Sequence, residues 1–97
     1  MRQTRILIVD DERIMRTSLA GWLERDGHDV ETVESGEAAL ERFKKTRYDI
    51  MLVDIKMEGI SGLDVLRTVH DSDPDVAVIM ITAYGSISTA IEAMKNG

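Results

Sequence analysis

Residues 5–12 read R-I-L-I-V-D-D-E, a short β-branched-rich run that breaks off into three acids. A second run, Ile50 to Val53, ends in the same way at Asp54, and a third, Val76 to Ile81, is apolar throughout. Continuous apolar runs of this length are the mark of parallel strands covered on both faces, since a half-exposed strand alternates instead. Two of them side by side bring Asp10, Asp11, Glu12 and Asp54 to one edge of the sheet. That is the carboxyl edge, where open α/β sheets bind their ligands. Clustered carboxylates repel unless a cation joins them, so the pattern predicts a divalent-metal pocket with one carboxylate available for chemistry.

The segments between the runs have helical spacing. Met15, Leu19, Trp22 and Leu23 form one stripe, which stops at Asp26-Gly27, where glycine suits a left-handed cap. Ser35 is a cap for a second helix with Ala39, Leu40 and Phe43 inward; Glu37, Glu41, Lys44, Lys45 and Arg47 read as a solvated face. Ser61 and Asp64 fit a capping box at the head of a third helix, which must end before Asp73-Pro74. Ile87, Ala90, Ile91 and Met94 make a last stripe. His28 to Glu34, with charges interleaved among its valines, is the expected outer strand. Trp22 reads as a core or subunit contact, the methionines as core filler, and His28 and His70 as surface residues. Strands and helices thus alternate along a single domain, residues 1–97, which predicts a doubly wound parallel sheet with right-handed crossovers. The wholly apolar run Val76 to Ile81 predicts a further neighbour that the 97 residues do not supply.

Composition narrows the function. Twelve basic against eighteen acidic residues leave a net charge of -6, which disfavours nonspecific contact with nucleic acid or an anionic membrane. The absence of cysteine removes disulfides and thiol catalysis, and suits a cytoplasmic protein. No apolar run approaches the length of a membrane span, and the N-terminus lacks a signal-peptide pattern.

Three motifs carry a resemblance: I-L-I-V-D-D-E at Ile6 to Glu12, D-I-M-L-V-D-I-K-M at Asp49 to Met57, and I-M-I-T-A-Y-G at Ile79 to Gly85. In this order and spacing the chain resembles the receiver domain of two-component response regulators. The resemblance implies the flavodoxin-like strand order 2-1-3-4-5, with strand five and helix five absent from these residues. It implies Asp54 as phosphoacceptor, Mg²⁺ held by Asp11, Asp54 and the backbone carbonyl of Lys56, and Asp10 orienting water in an outer shell. Thr82 matches the hydroxyl that turns toward the phosphoryl group. A sensor histidine kinase is the implied partner, and the implied role is a phosphoacceptor rather than a classical enzyme. The residues from Thr82 to Gly97 look most like receivers of the NtrC type, which act on transcription through other domains.

The chain departs from the family pattern at two points. Glu58 replaces the usual loop proline, and the lysine and aromatic residue of strand five have no counterpart; Tyr84 is not at the aromatic position. A degenerate receiver serving only protein contacts or dimerisation is therefore the alternative, with pairing of two copies through the edge at Val76 to Ile81 as one expectation. A dehalogenase-type hydrolase would need an aspartate where Lys56 stands, and a flavodoxin would need a phosphate-holding loop where Asp10-Asp11-Glu12 would repel phosphate.

Overall fold

β1 (Arg5–Val9), β3 (Ile50–Asp54) and β4 (Ala77–Ile81) are parallel neighbours, and β2 (Asp29–Val33) flanks β1, so the sheet runs β2-β1-β3-β4. These elements come from a computed structural model that describes residues 4–55, 57 and 59–81. The order is the one expected for a flavodoxin-like sheet. The expected fourth helix, together with Lys56, Glu58, Thr82 and Tyr84, lies outside the described residues.

The strand alternation divides the apolar side chains between two faces. Leu7, Val9, Met51 and Val53 are fully buried, with Val78 and Met80 packed beside them under Ala39 of α2 (Gly36–Lys45) and Val65 and Val69 of α3 (Gly62–Ser72). Ile6 and Ile8 point to the opposite face, where α1 (Arg13–Arg25) lies over β1 and β2. β1 is thus covered on both sides, which is why its sequence never alternates. Among the described residues β4 is covered on one: Ile79 is 50% exposed on the α1 side, two strands away from that helix. Trp22 is 68% exposed, which removes the core half of its reading and leaves the subunit contact. The stripe's Met15, Leu19 and Leu23 are half-buried, and Trp22 lies past their edge.

The helix ends follow from the residues expected to make them. α1 closes in a Schellman arrangement, with Gly27 at φ 91°, its N–H donating to the Glu24 carbonyl (3.0 Å) and the His28 N–H to that of Leu23 (3.2 Å). That bond occupies the His28 amide, so β2 starts one residue later than its sequence suggests. At the head of α2 the Ser35 hydroxyl accepts from the Ala38 N–H, and at the head of α3 Ser61 and Asp64 form the full capping box. Val76 is buried, but its N–H donates to the Asp73 carbonyl, so the ladder of β4 begins at Ala77. Edge strand β2 is tied to α2 by Glu31, which accepts from both Arg42 and the Tyr48 hydroxyl.

Candidate functional site

The register of the central strands builds the site. Val9 pairs with Val53, so Asp10, the first residue past β1, and Asp54, the last residue of β3, stand at the same level, and Asp11 follows on the turn into α1. One carboxylate oxygen from each of Asp10, Asp11 and Asp54 lies within 4.8 Å of the others. Their environments differ. Asp10 is 3% exposed, Asp54 is half-buried, and Asp11 faces solvent. The pocket therefore has a fixed floor and an open mouth. Glu12 does not join the group: it is the N-cap residue of α1 and is exposed, so the expected cluster of four is a cluster of three.

Asp10 is held at three points. Its N–H donates to the Val33 carbonyl (3.2 Å), its carboxylate accepts from the Glu12 N–H (2.8 Å), and its own carbonyl accepts from Nη1 of Arg16 (2.8 Å). This is an Asx-type turn that lets the chain leave β1 sharply and enter α1. The carboxylate oxygen taken by Glu12 leaves Asp10 less free than Asp11 to serve a cation, in keeping with the outer role that the family resemblance assigns to it.

Asp54 is placed from below. The Ile55 N–H donates to the carbonyl of Ile81, extending the β3–β4 ladder past Asp54, and the Gly62 N–H returns to donate to the Ile55 carbonyl (3.2 Å). The loop after β3 thus folds back onto the strand end and delivers its chain to the cap of α3. Sequence reasoning assigned no role to Gly62 or Arg16. A glycine directly after a helix cap and an arginine one turn into the first helix were the available signals, but neither names its partner.

The donor set suits a small hard cation. Two oxygens on opposite sides of a Mg²⁺ ion stand about 4.2 Å apart, at bond lengths near 2.1 Å. The Asp11 and Asp54 oxygens, already within 4.8 Å of each other, need only small side-chain shifts to share such an ion, and the Asp10 oxygen is near enough to meet its water. An exposed third side leaves room for retained waters, which Mg²⁺ gives up reluctantly. Among the described residues no other group of His, Cys, Asp and Glu side chains converges in this way.

Known proteins agree with this architecture. The chain is similar to the transcriptional regulatory protein ZraR of Klebsiella oxytoca, with 35% identity over 98% of this chain and 21% of that protein. It therefore spans about a fifth of the length of that relative. It superposes on the response regulator protein TrrA of Thermotoga maritima in complex with Mg²⁺-BeF at TM-score 0.89, with 37% identity over 98% of this chain and 82% of that one. A response regulator from Burkholderia pseudomallei with a phosphorylated aspartic acid and a calcium ion matches at TM-score 0.90, with 30% identity over 98% of this chain and 56% of the other. The sequence model of the response regulator receiver domain matches residues 6–97, and the chain belongs to that family.

Proposed function

We propose that the domain is a Mg²⁺-dependent phosphoacceptor whose nucleophile is Asp54, switched by a histidine kinase, rather than an enzyme that turns over an external substrate. The observation that carries this reading is the convergence of Asp10, Asp11 and Asp54 at the ends of two adjacent parallel strands. The similarity to a Mg²⁺-BeF complex and to a protein with a phosphorylated aspartate supports it.

A carboxylate oxygen of Asp54 attacks phosphorus, the P–N bond of the kinase phosphohistidine breaks, and its electron pair stays on the imidazole nitrogen. Asp11 and Asp54, with the Lys56 carbonyl that the family pattern adds, would hold a Mg²⁺ ion, which when bound would supply the positive charge that lets two anions approach. Asp54 is suited to attack by position, since the half-buried end of β3 offers few alternative orientations. Asp10, bonded to the Glu12 amide, keeps the turn closed beside it and orients water. The acyl phosphate replaces one negative charge with about -2 at neutral pH, enough to draw a nearby hydroxyl donor toward it. Thr82 is that donor on the family pattern, and the segment after it, outside the described residues, is the one that would pass the change to an output surface. In a longer protein of the ZraR kind the output would be control of transcription, with DNA contact made outside this acidic domain.

The test is phosphorylation of the full-length protein by a small phosphodonor, with and without Mg²⁺, followed by mass spectrometry. Phosphate is expected on Asp54 only, and Asp54→Asn should accept none. Metal-dependent phosphate on His28, His70 or a serine, with Asp54 untouched, overturns the mechanism. An unreactive Asp54 in the intact protein would leave the protein-contact role instead.

A further inference from the structure

We infer that Arg16 is a positioning residue for the carboxylate pocket: its guanidinium fixes the peptide between Asp10 and Asp11 and so sets where the Asp11 carboxylate stands. The inference rests on the phosphoacceptor reading above and extends it to a side chain that touches neither metal nor phosphate. Arg16 lies at the start of α1, half-buried, with Nη1 2.8 Å from the carbonyl oxygen of Asp10. That oxygen belongs to the peptide joining Asp10 to Asp11, so a bond to it resists rotation of the peptide plane. The rest of Asp10 is already anchored, by its N–H on Val33 and its carboxylate on Glu12. Asp11 faces solvent, so the peptide plane that carries it bears directly on where its carboxylate stands. The Arg16 bond restrains that plane, and with it the backbone route by which Asp11 could swing away from Asp54.

Charge and position make opposite demands here, and that makes the inference decidable. Guanidinium keeps its charge at every working pH. A fixed cation beside a cation site repels the incoming ion, so by charge alone the loss of Arg16 should tighten Mg²⁺ binding. If Arg16 positions the ligand, its loss should weaken binding. Residues that orient metal ligands from behind typically change affinity by about 10–100-fold when removed. Arg16 acts one peptide away from its ligand, so the lower end of that range, about tenfold, is expected.

The experiment is Mg²⁺ titration of the full-length protein by calorimetry, with thermal melting of each variant. Arg16→Met removes both charge and donor, and should bind Mg²⁺ about tenfold more weakly than the parent while still melting cooperatively. Arg16→Gln, too short to reach the Asp10 carbonyl, should behave likewise and decides the matter if the methionine variant does not fold. Leu19→Ala loosens α1 on its sheet side and controls for stability: it should melt earlier but bind Mg²⁺ as the parent does. Equal or tighter binding by the Arg16 variants overturns the inference and leaves the pocket reading standing. So does a loss of affinity in Leu19→Ala matching theirs. A parent protein that binds no Mg²⁺ overturns both.

Discussion

A Cβ on Gly62 would stand 2.2 Å from the carbonyl oxygen of Asp54. The backbone of α3's first residue thus rests directly on the backbone of the proposed acceptor, with no side chain between them. At Gly36 an added Cβ would meet a side-chain carbon of Val65 at 2.9 Å and the Ile60 carbonyl oxygen at 3.0 Å, both well outside the 2.2 Å approach at Gly62. The carbonyl of Asp54, in a strand paired on both sides, cannot move aside for it. Gly62→Ala should therefore push the loop away from β3, with the cost of overpacking, about 1–3 kcal/mol. It should also slow phosphorylation of Asp54. Urea unfolding and phosphodonor kinetics check both, and an alanine variant with parental stability and rate would show that the loop yields freely.

The capping box of α3 should be separable from the chemistry. The Ser61 hydroxyl accepts from the Asp64 N–H (3.2 Å), and the Asp64 carboxylate accepts from the Ser61 N–H (3.4 Å) and hydroxyl (3.0 Å). Ser61→Ala leaves an amide at the helix head unpaired, which typically destabilises by about 0.5–2 kcal/mol. Chemical denaturation should show a loss in that range. Mg²⁺ affinity should not change, because Gly62 still packs on Asp54.

Tyr48 gives the fold a dependence on alkaline pH. Burial raises its pKa above the ordinary 10.0; the charge of Glu31 and the hydrogen bond donated to that carboxylate (3.2 Å) raise it further, against smaller opposing effects of Thr46 and Arg42. The folded state therefore holds the phenolic proton more tightly than the unfolded chain. Stability from this group is fully present below pH 10 and is lost as pH rises through the folded value. Tyr48→Phe should lose about 1 kcal/mol at neutral pH with the hydrogen bond, yet fall less steeply above pH 10 than the parent. Thermal melts across that range test this, and parallel curves for the two proteins would remove Tyr48 as the cause.

What the sequence disclosed follows the range of the physics behind it. That β1 is central and β2 outer was legible because Ile6 to Val9 never alternates while His28 to Glu34 does; the full strand order came from the resemblance to receiver domains. The Ser61 and Asp64 cap was legible because both partners lie within four residues. For Trp22 the sequence left core and subunit contact open, since periodicity tells which residues share a stripe, not whether a neighbour covers its edge. Glu12 was grouped with Asp10 and Asp11 because adjacency in sequence says nothing of which way a turn aims each carboxylate. Arg16 and Gly62 were missed for a related reason: each acts on a backbone carbonyl, and every residue has one.

Asp11 should carry opposite effects in the absence and presence of metal. Three carboxylate oxygens within 4.8 Å repel one another when no cation is bound, and Asp11 is the member most open to solvent. Asp11→Asn keeps the shape but removes one charge, so in a chelator at low salt the variant should melt above the parent. Mg²⁺ reverses the order. A ligand at about 100 times its dissociation constant stabilises the state it binds by about 2.7 kcal/mol, and the parent should gain this while the variant, short of one anionic ligand, gains much less. Plotted against Mg²⁺ concentration, the two melting temperatures should therefore cross. Added salt without Mg²⁺ should narrow the gap at the low end by screening the repulsion, and leave the high end in place because direct coordination is screened less. An Asp11→Asn variant that melts below the parent at every Mg²⁺ concentration would mean that Asp11 supports the fold rather than the ion. The same result with a parent indifferent to Mg²⁺ would mean that the three carboxylates do not form a metal pocket.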